Sequence, residues 1–306
     1  MKRPLICAFA YSLIFGFSFL FTKRTLGYVS DVFHLLALRF AVAFVLMTLL
    51  KIMGAIKINY SGKGIAKLLL LAFLQPVLYF TFETLGISLV TSSQAGMMIA
   101  CIPVFSVIFA RIFLREKTTF KRNVYVMISV TGAMILSSGD ILKGSATGII
   151  YLLIAVISAG AYIVISRSIS IDRSPAAITY MMMGTGAFVF NAISLIRHGL
   201  RGEIGSFLNP LLIPDAIVGI LYLGMLSSVL AFFLVNYTLS RIEVSKAALF
   251  ANLTTVIAVI AGYFFLNERI EINQITGGAM ILIGVYGAST AEEKVKKMIR
   301  IPYDRR

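Results

Sequence analysis

Apolar residues in this 306-residue chain run in long, nearly unbroken stretches, and the polar positions gather between them. Marked off at clusters of charge, Gly, Asn and Pro, these stretches cover Pro4 to Thr22, Val32 to Lys51, Ile65 to Leu89, Gln94 to Leu114 and Asn123 to Gly139 in the first half. The second half gives Thr147 to Ser166, Pro175 to Ile196, Pro214 to Ser240, Ser245 to Leu266 and Ile272 to Thr290. Each is about 20 residues, enough for a helix to cross a hydrocarbon layer of roughly 30 Å. Continuous apolarity argues against barrel strands, which alternate lipid-facing and lumen-facing residues. A backbone inside lipid must also satisfy its amides within its own segment. The pattern therefore predicts an all-α integral membrane protein with ten transmembrane helices.

The pattern occurs twice. FLREK at Phe113 to Lys117 returns as FLNER at Phe265 to Arg269, 152 residues later, and the same ungapped shift lays Ala110 on Gly262, Gly132 on Gly284 and Ser137 on Ser289. A tandem duplication explains this, with residues 1–143 and 144–290 as two five-helix repeats and 291–306 as a basic tail. Five crossings per copy is an odd number, so the second copy enters the membrane from the opposite side and the repeats are inverted. The loop charges agree. Several bases follow FLREK, whereas Glu268, Arg269 and Glu271 occupy the matching turn.

Composition fixes the solvent: 59% hydrophobic and 13% charged residues, with a mean hydropathy of +0.92, cannot be wrapped round a water-soluble core of this length. Met1, Lys2 and Arg3 before an apolar run imitate a secretory signal, but the run is long and no small-x-small cleavage site precedes Lys23, so it is read as the first span. Basic loops stay on the cytoplasmic side. With the N-terminus inside, Lys23, Arg24, Lys143, Arg197, Arg201 and Arg269 are the Lys and Arg that fall outside, Arg39 lies within a span, and the rest of the 28 are cytoplasmic. Both termini are then expected inside. The net charge of +15 is spread over these short loops and the tail, which fits topology control and anionic lipid rather than nucleic acid. Cys7 and Cys101 sit in apolar spans without metal-like spacing and read as small core residues.

Absences narrow the chemistry. SGKG at Ser61 to Gly64 lacks the spacing and hydroxyl residue of a phosphate-binding loop, and the two histidines, His34 and His198, both lie near predicted loops. ATP hydrolysis, a histidine-rich metal site and an intramembrane nucleophile–histidine arrangement are poorly supported, and no cofactor is expected. An intramembrane enzyme is the runner-up class.

Polar residues held at bilayer depth are costly and usually face a cavity or a partner helix. Gln75, Tyr79 and Glu83 at spacing four share one face of the third span, beside Pro76, where a bend is expected. Tyr11, Phe15, Ser18 and Thr22 form a similar stripe in the first span, Ser158, Tyr162 and Ser166 in the sixth, Ser228, Phe232 and Asn236 in the eighth, and Asn252 with Thr255 in the ninth. Any one of these residues, taken singly, reads first as a helix–helix hydrogen bond. Together they are taken to line one cavity, with Tyr11, Ser18, Gln75, Tyr79, Glu83, Ser158, Tyr162, Asn236 and Asn252 as candidate substrate contacts. Glu83 is the carboxylate buried inside a span and Arg39 the buried guanidinium. By a rise of about 1.5 Å per residue both lie roughly 10 Å from the same surface, so an Arg39–Glu83 ion pair is as consistent with the sequence as a proton-binding or cation-binding Glu83. Glu116 and Glu268, at span ends beside bases, read as turn-fixing groups. The small-x-x-x-small pairs Ser106 with Ala110 and Ala258 with Gly262 read as packing.

FGFSFLFTKRTL at Phe15 to Leu26 resembles the opening of EamA-type transporters in the drug/metabolite transporter superfamily, with Phe15 where that family has tryptophan. The run from Ser92 to Lys117 is similar to the family's signature, with Pro103 opening it and Leu114 and Glu116 closing it; the copy from Val244 to Arg269 keeps Leu266 and Glu268 but has Thr255 at the proline position. The resemblance implies a ten-helix inverted-repeat bundle in the bacterial inner membrane, with a central cavity walled chiefly by spans one, three, four, six, eight and nine. It implies a secondary transporter, an exporter of a small metabolite such as an amino acid working by alternating access, with drug or cationic-compound export as the alternative. Proton coupling through Glu83 and facilitated diffusion are both consistent with it. Tyr79, Phe82, Tyr162 and Tyr237 would suit an amphipathic or aromatic solute. The expected partners are a small-molecule substrate and the lipid bilayer.

Overall fold

A computed structural model describes residues 2–29, 31–58, 65–87, 89, 98–99, 101–116, 119–136, 146–170, 173–247, 249–266 and 272–299, and among these there is helix in each of the ten apolar segments and no strand. Two long helices, α1 (Lys2–Leu26) and α2 (Val32–Ile52), come first. The third segment is broken: α3 (Ile65–Ala72) passes through a π-helical stretch, Phe73–Leu78, into α4 (Tyr79–Ile87). Shorter helices α5 (Ile102–Phe113) and α6 (Phe120–Leu136) complete the first half. The second half opens with α7 (Ala146–Ile169) and α8 (Pro175–Arg201). A second segment with a π-helical middle follows, unbroken this time: α9 (Pro214–Leu221), a π-helical stretch Tyr222–Leu230, and α10 (Ala231–Leu239). The chain ends with α11 (Val244–Ala247), α12 (Leu249–Leu266) and α13 (Ile272–Ile299).

Six of these helices, Arg3–Leu26, Val32–Ile52, Ile65–Gly86, Ala146–Ile169, Pro175–Arg201 and Pro214–Leu239, are long and apolar enough to cross a membrane; Ile102–Phe113, Asn252–Phe265 and Ile275–Gly284 are shorter apolar helices. Several run past the apolar stretch that predicted them, because polarity does not end a helix while capping does. Asp31 accepts the Phe33 amide at 2.9 Å and starts α2. The Ser174 hydroxyl accepts the Ala177 amide and Pro175 supplies the first turn of α8, which stops at Gly202 in the left-handed conformation, φ 70°.

The packing repeats with the sequence. α2 packs on α8 and α6 on α13, while α1 packs on α10 and α12 as α7 packs on α4 and α5. Exchanging each of these segments for the one five further along returns the same pairs, as two similar halves would give. The α6–α13 contact shows it atom by atom. A Cβ added to Gly132 would meet Gly277 O at 2.7 Å, Met280 Cβ at 2.6 Å and Ile281 N at 2.9 Å. A Cβ added to Gly284 would meet Tyr125 O at 2.7 Å and Ser129 N at 2.8 Å. Gly132 and Gly284 are the pair aligned by the repeat, and Tyr125 and Ser129 are the repeat partners of Gly277 and Ile281. The small pair in the fourth segment packs as expected: Ser106 and Ala110 are buried, and Gly160 of α7 lies against the Ser106 backbone. Cys7 and Cys101 are free thiols, each partly buried.

Candidate functional site

The two segments that pass through π-helical stretches stand in corresponding positions of the two halves, third and eighth, and both border one cavity of about 410 Å³. Interrupted helices in matched positions mark the binding region in repeat-built transporters, because unwound backbone is tolerated at membrane depth where it lines a cavity. The cavity volume falls within the roughly 300–1,000 Å³ range of small-molecule sites. In the first stretch Gln75 leaves helical geometry altogether (φ −147°, ψ 118°), next to Pro76. The expected bend is therefore present, and the Leu74 carbonyl beside it accepts both the Tyr79 amide and, at 2.7 Å, the Ser158 hydroxyl of α7.

Six of the nine candidate contacts line the cavity: Tyr11, Ser18, Gln75, Tyr79, Glu83 and Tyr162. The whole first-span stripe, Tyr11 through Thr22, faces it. Three candidates are placed elsewhere. Ser158 is spent on the Leu74 carbonyl. Asn252 donates to Ser129 at 3.1 Å between α12 and α6, and Thr254, two residues on, faces the cavity instead. Asn236 is wholly buried behind the cavity wall. There its Oδ1 accepts from the Tyr162 hydroxyl at 2.9 Å and the Ser166 hydroxyl at 2.8 Å, and its Nδ2 donates to Thr179 Oγ1 at 3.0 Å. It holds a wall residue in place. The aromatic expectation divides likewise: Tyr79 and Tyr162 face the cavity, whereas Phe82 packs on Tyr151 and Tyr237 lies under Arg241.

Arg39 and Glu83 both line the cavity but do not form the direct ion pair. Arg39 Nε donates to Ser228 at 2.7 Å and Nη2 to Ser227 at 3.1 Å, both in the second π-helical stretch, and the guanidinium carbon sits 4.7 Å from the Phe80 ring centre. Glu83 accepts the Tyr79 hydroxyl at 2.7 Å. Depth along two helices set the expectation; rotation about their axes decided the contact, and it turned Arg39 toward the eighth segment. Through Arg39, Leu35 and Leu36 the second span joins the cavity wall.

One end of the cavity is tied across by polar contacts. Ala247 and Leu239 line it there, and the Tyr11 hydroxyl donates to the Ala247 carbonyl at 3.1 Å. Just beyond, Arg167 donates to the Leu239 carbonyl, Arg122 pairs with Glu243, and Glu116 Oε1 accepts the Val244 amide at 3.2 Å. The turn-fixing role expected of Glu116 is thus one of joining the halves; Glu268 lies outside the described residues. At the opposite end Asp31 meets Arg197 at 2.9 Å and the Tyr28 hydroxyl donates to Asp215, whose carboxylate holds that phenol above its usual range. His34 and His198 sit together at this end, ring centres 4.5 Å apart, away from the cavity wall.

The profile of the EamA-like transporter family matches the chain twice, over residues 2–138 and 146–290. The chain belongs to the EamA-like transporter family. An uncharacterized transporter of Bacillus subtilis, YcxC, is 36% identical over 300 residues, covering 97% of this chain and 96% of that one. An uncharacterized transporter of Archaeoglobus fulgidus is 26% identical over 94% of this chain and 98% of its own length. A protein of Streptantibioticus cattleyicolor described as a "Probable terminal-alkyne amino-acid exporter" is 23% identical over 64% of this chain and 63% of its own. A crystal structure with 14% identity superposes over 96% of this chain and 99% of its own with a TM-score of 0.75, a likeness of fold. As an EamA-like chain it is a multi-pass membrane transporter, and the cavity bordered by both π-helical stretches is the candidate solute site.

Proposed function

We propose that this transporter is a secondary carrier exporting a small metabolite such as an amino acid across the inner membrane, with both termini cytoplasmic and residues 1–143 and 144–290 as its two inverted halves. The observation that carries the reading is the pair of helices with π-helical stretches, matched between the halves, that face one cavity holding both a guanidinium and a carboxylate. Loop charge supports the orientation, and the similarity to an exporter supports the direction. The cavity opens to one side at a time as the halves rock. The Tyr11–Ala247 bond and the Arg122–Glu243 pair, each spanning the two halves, hold one end shut and break when that end opens. A solute drives the cycle only by binding the two states unequally. Glu83, the carboxylate in the cavity, is the group through which protons couple.

The second reading, export of a drug or other cationic compound, is favoured by Glu83 sharing the cavity with the aromatic rings of Tyr79, Phe80 and Phe232. Arg39 in the same cavity opposes a cation there. Purified protein in liposomes, tested against a panel of labelled metabolites, separates the classes. A carrier gives saturable flux that is stimulated by unlabelled solute on the far side. Flux that never saturates marks a channel, and a chemically altered product marks an intramembrane enzyme.

A further inference from the structure

The cavity holds a buried cation with no anion on it. Arg39 is 6% exposed, and its two protein hydrogen bonds go to neutral serine hydroxyls. A guanidinium has five N–H donors, and a buried charge is costly unless an opposite charge meets it. The serines take the side edge, Nε with one Nη2 hydrogen. The end edge, Nη1 with the second Nη2 hydrogen, has no partner among the described residues, and its two parallel N–H groups can still grip a carboxylate. Phe80 covers the face of the guanidinium and fixes its plane. In the same cavity Glu83 receives the Tyr79 hydroxyl on Oε1, and no described residue bonds Oε2. Phe15, Phe232 and Tyr162 supply apolar wall to the same cavity.

We infer that Arg39 and Glu83 are the two poles of a zwitterion site, Arg39 taking the carboxylate and Glu83 the ammonium of an α-amino acid whose apolar side chain lies on the Phe15, Phe232 and Tyr162 wall. The inference rests on the carrier reading above and adds the substrate class and the residue that reads each end. Ser227 and Ser228 are positioning residues: they hold the guanidinium edge-on so that its free edge faces the cavity. A monovalent amine meets Glu83 and leaves the end edge of Arg39 without a partner; a monovalent acid meets Arg39 and leaves Glu83 Oε2 without one. Discrimination therefore comes from the unsatisfied pole as much as from the satisfied one.

The test uses L-leucine, L-methionine and L-phenylalanine, each beside its decarboxylated amine and its deaminated acid, as competitors of flux in liposomes and as ligands raising the melting temperature in detergent. The wild-type carrier should prefer at least one zwitterion over both of its truncated relatives by about ten- to a hundredfold, the worth of one charge-assisted hydrogen-bonded contact. Arg39→Gln should narrow the zwitterion-to-amine ratio and Glu83→Gln the zwitterion-to-acid ratio, each leaving the other ratio in place. Ratios within one preparation do not depend on how much of it is folded, and Arg39→Lys, which keeps the charge, should restore part of the preference. The Arg39→Gln, Glu83→Gln double variant should lose both preferences. If the double variant instead recovers wild-type zwitterion binding, the two charges merely neutralise each other and the inference is overturned. Saturable flux of another solute that none of these compounds inhibits would overturn it too while leaving the carrier reading intact; no saturable flux of any solute would overturn the carrier reading itself.

Discussion

Asn236→Leu removes the side chain that fastens the wall residue Tyr162, and the structure sets the size of the effect. Asn236 accepts from Tyr162 and Ser166 and donates to Thr179, all of them buried. Leucine fills the space without a polar atom. Ser166 can turn its hydroxyl to the carbonyl four residues earlier in its own helix. Thr179 already donates to the Pro175 carbonyl at 2.9 Å and loses only an incoming bond. Tyr162, 2% exposed, has no such recourse and keeps an unsatisfied hydroxyl. An orphaned buried donor costs about 1–3 kcal/mol, whereas an interhelical hydrogen bond in a membrane protein contributes on average about 0.6 kcal/mol. Asn236→Leu should therefore destabilise by about 1–2 kcal/mol, and adding Tyr162→Phe should return most of that by deleting the orphan. Reversible unfolding in mixed micelles, run as a double-mutant cycle, measures both numbers. A double variant as unstable as the two single variants combined would refute the reasoning, because it would show that Tyr162 does not depend on Asn236.

Gly132→Ala and Gly284→Ala each push a Cβ into backbone atoms of the facing helix; each should cost about 1–3 kcal/mol in the same unfolding assay, while Gly205→Ala, with nothing within 4 Å, should be near neutral. Asp31→Asn should keep the α2 cap and lose the pairing with Arg197, and Asp31→Ala should lose both, so the alanine variant should be less stable by about 0.5–2 kcal/mol, the worth of a cap. Glu83→Gln should abolish transport or remove its dependence on pH in proteoliposome flux; normal flux with an unchanged pH profile would take Glu83 out of the mechanism.

The helical class was legible because lipid imposes one rule on every segment, and the duplication because FLREK and FLNER kept their spacing. Which residues of a stripe reach the cavity was legible for Tyr11, Phe15, Ser18 and Thr22, and for Gln75, Tyr79 and Glu83 despite the bend beside them. It failed at the ninth segment, where helical rotation of about 100° per residue puts Thr254 rather than Asn252 on the cavity face. Ser158, Ser166 and Asn236 read like cavity residues because a hydroxyl or amide bonding a neighbouring helix and one facing a solute look alike along the chain. The Ser227–Ser228 doublet in an apolar run was the available sign of a partner for Arg39, but depth alone favoured Glu83. The π-helical stretch at Tyr222–Leu230 contains no proline, so the Pro76 signal had no counterpart there.

The account stands on two halves that cross the membrane in opposite senses with the solute cavity between them. In a chain with Cys7 and Cys101 replaced, single cysteines at Arg115 and Arg269 can be probed in intact cells with a membrane-impermeant thiol reagent. Labelling of the Arg269 position alone, with Arg115 reacting only after the cells are opened, is the predicted result. Equal labelling of both positions from the same side would contradict the inverted repeat and the carrier built on it.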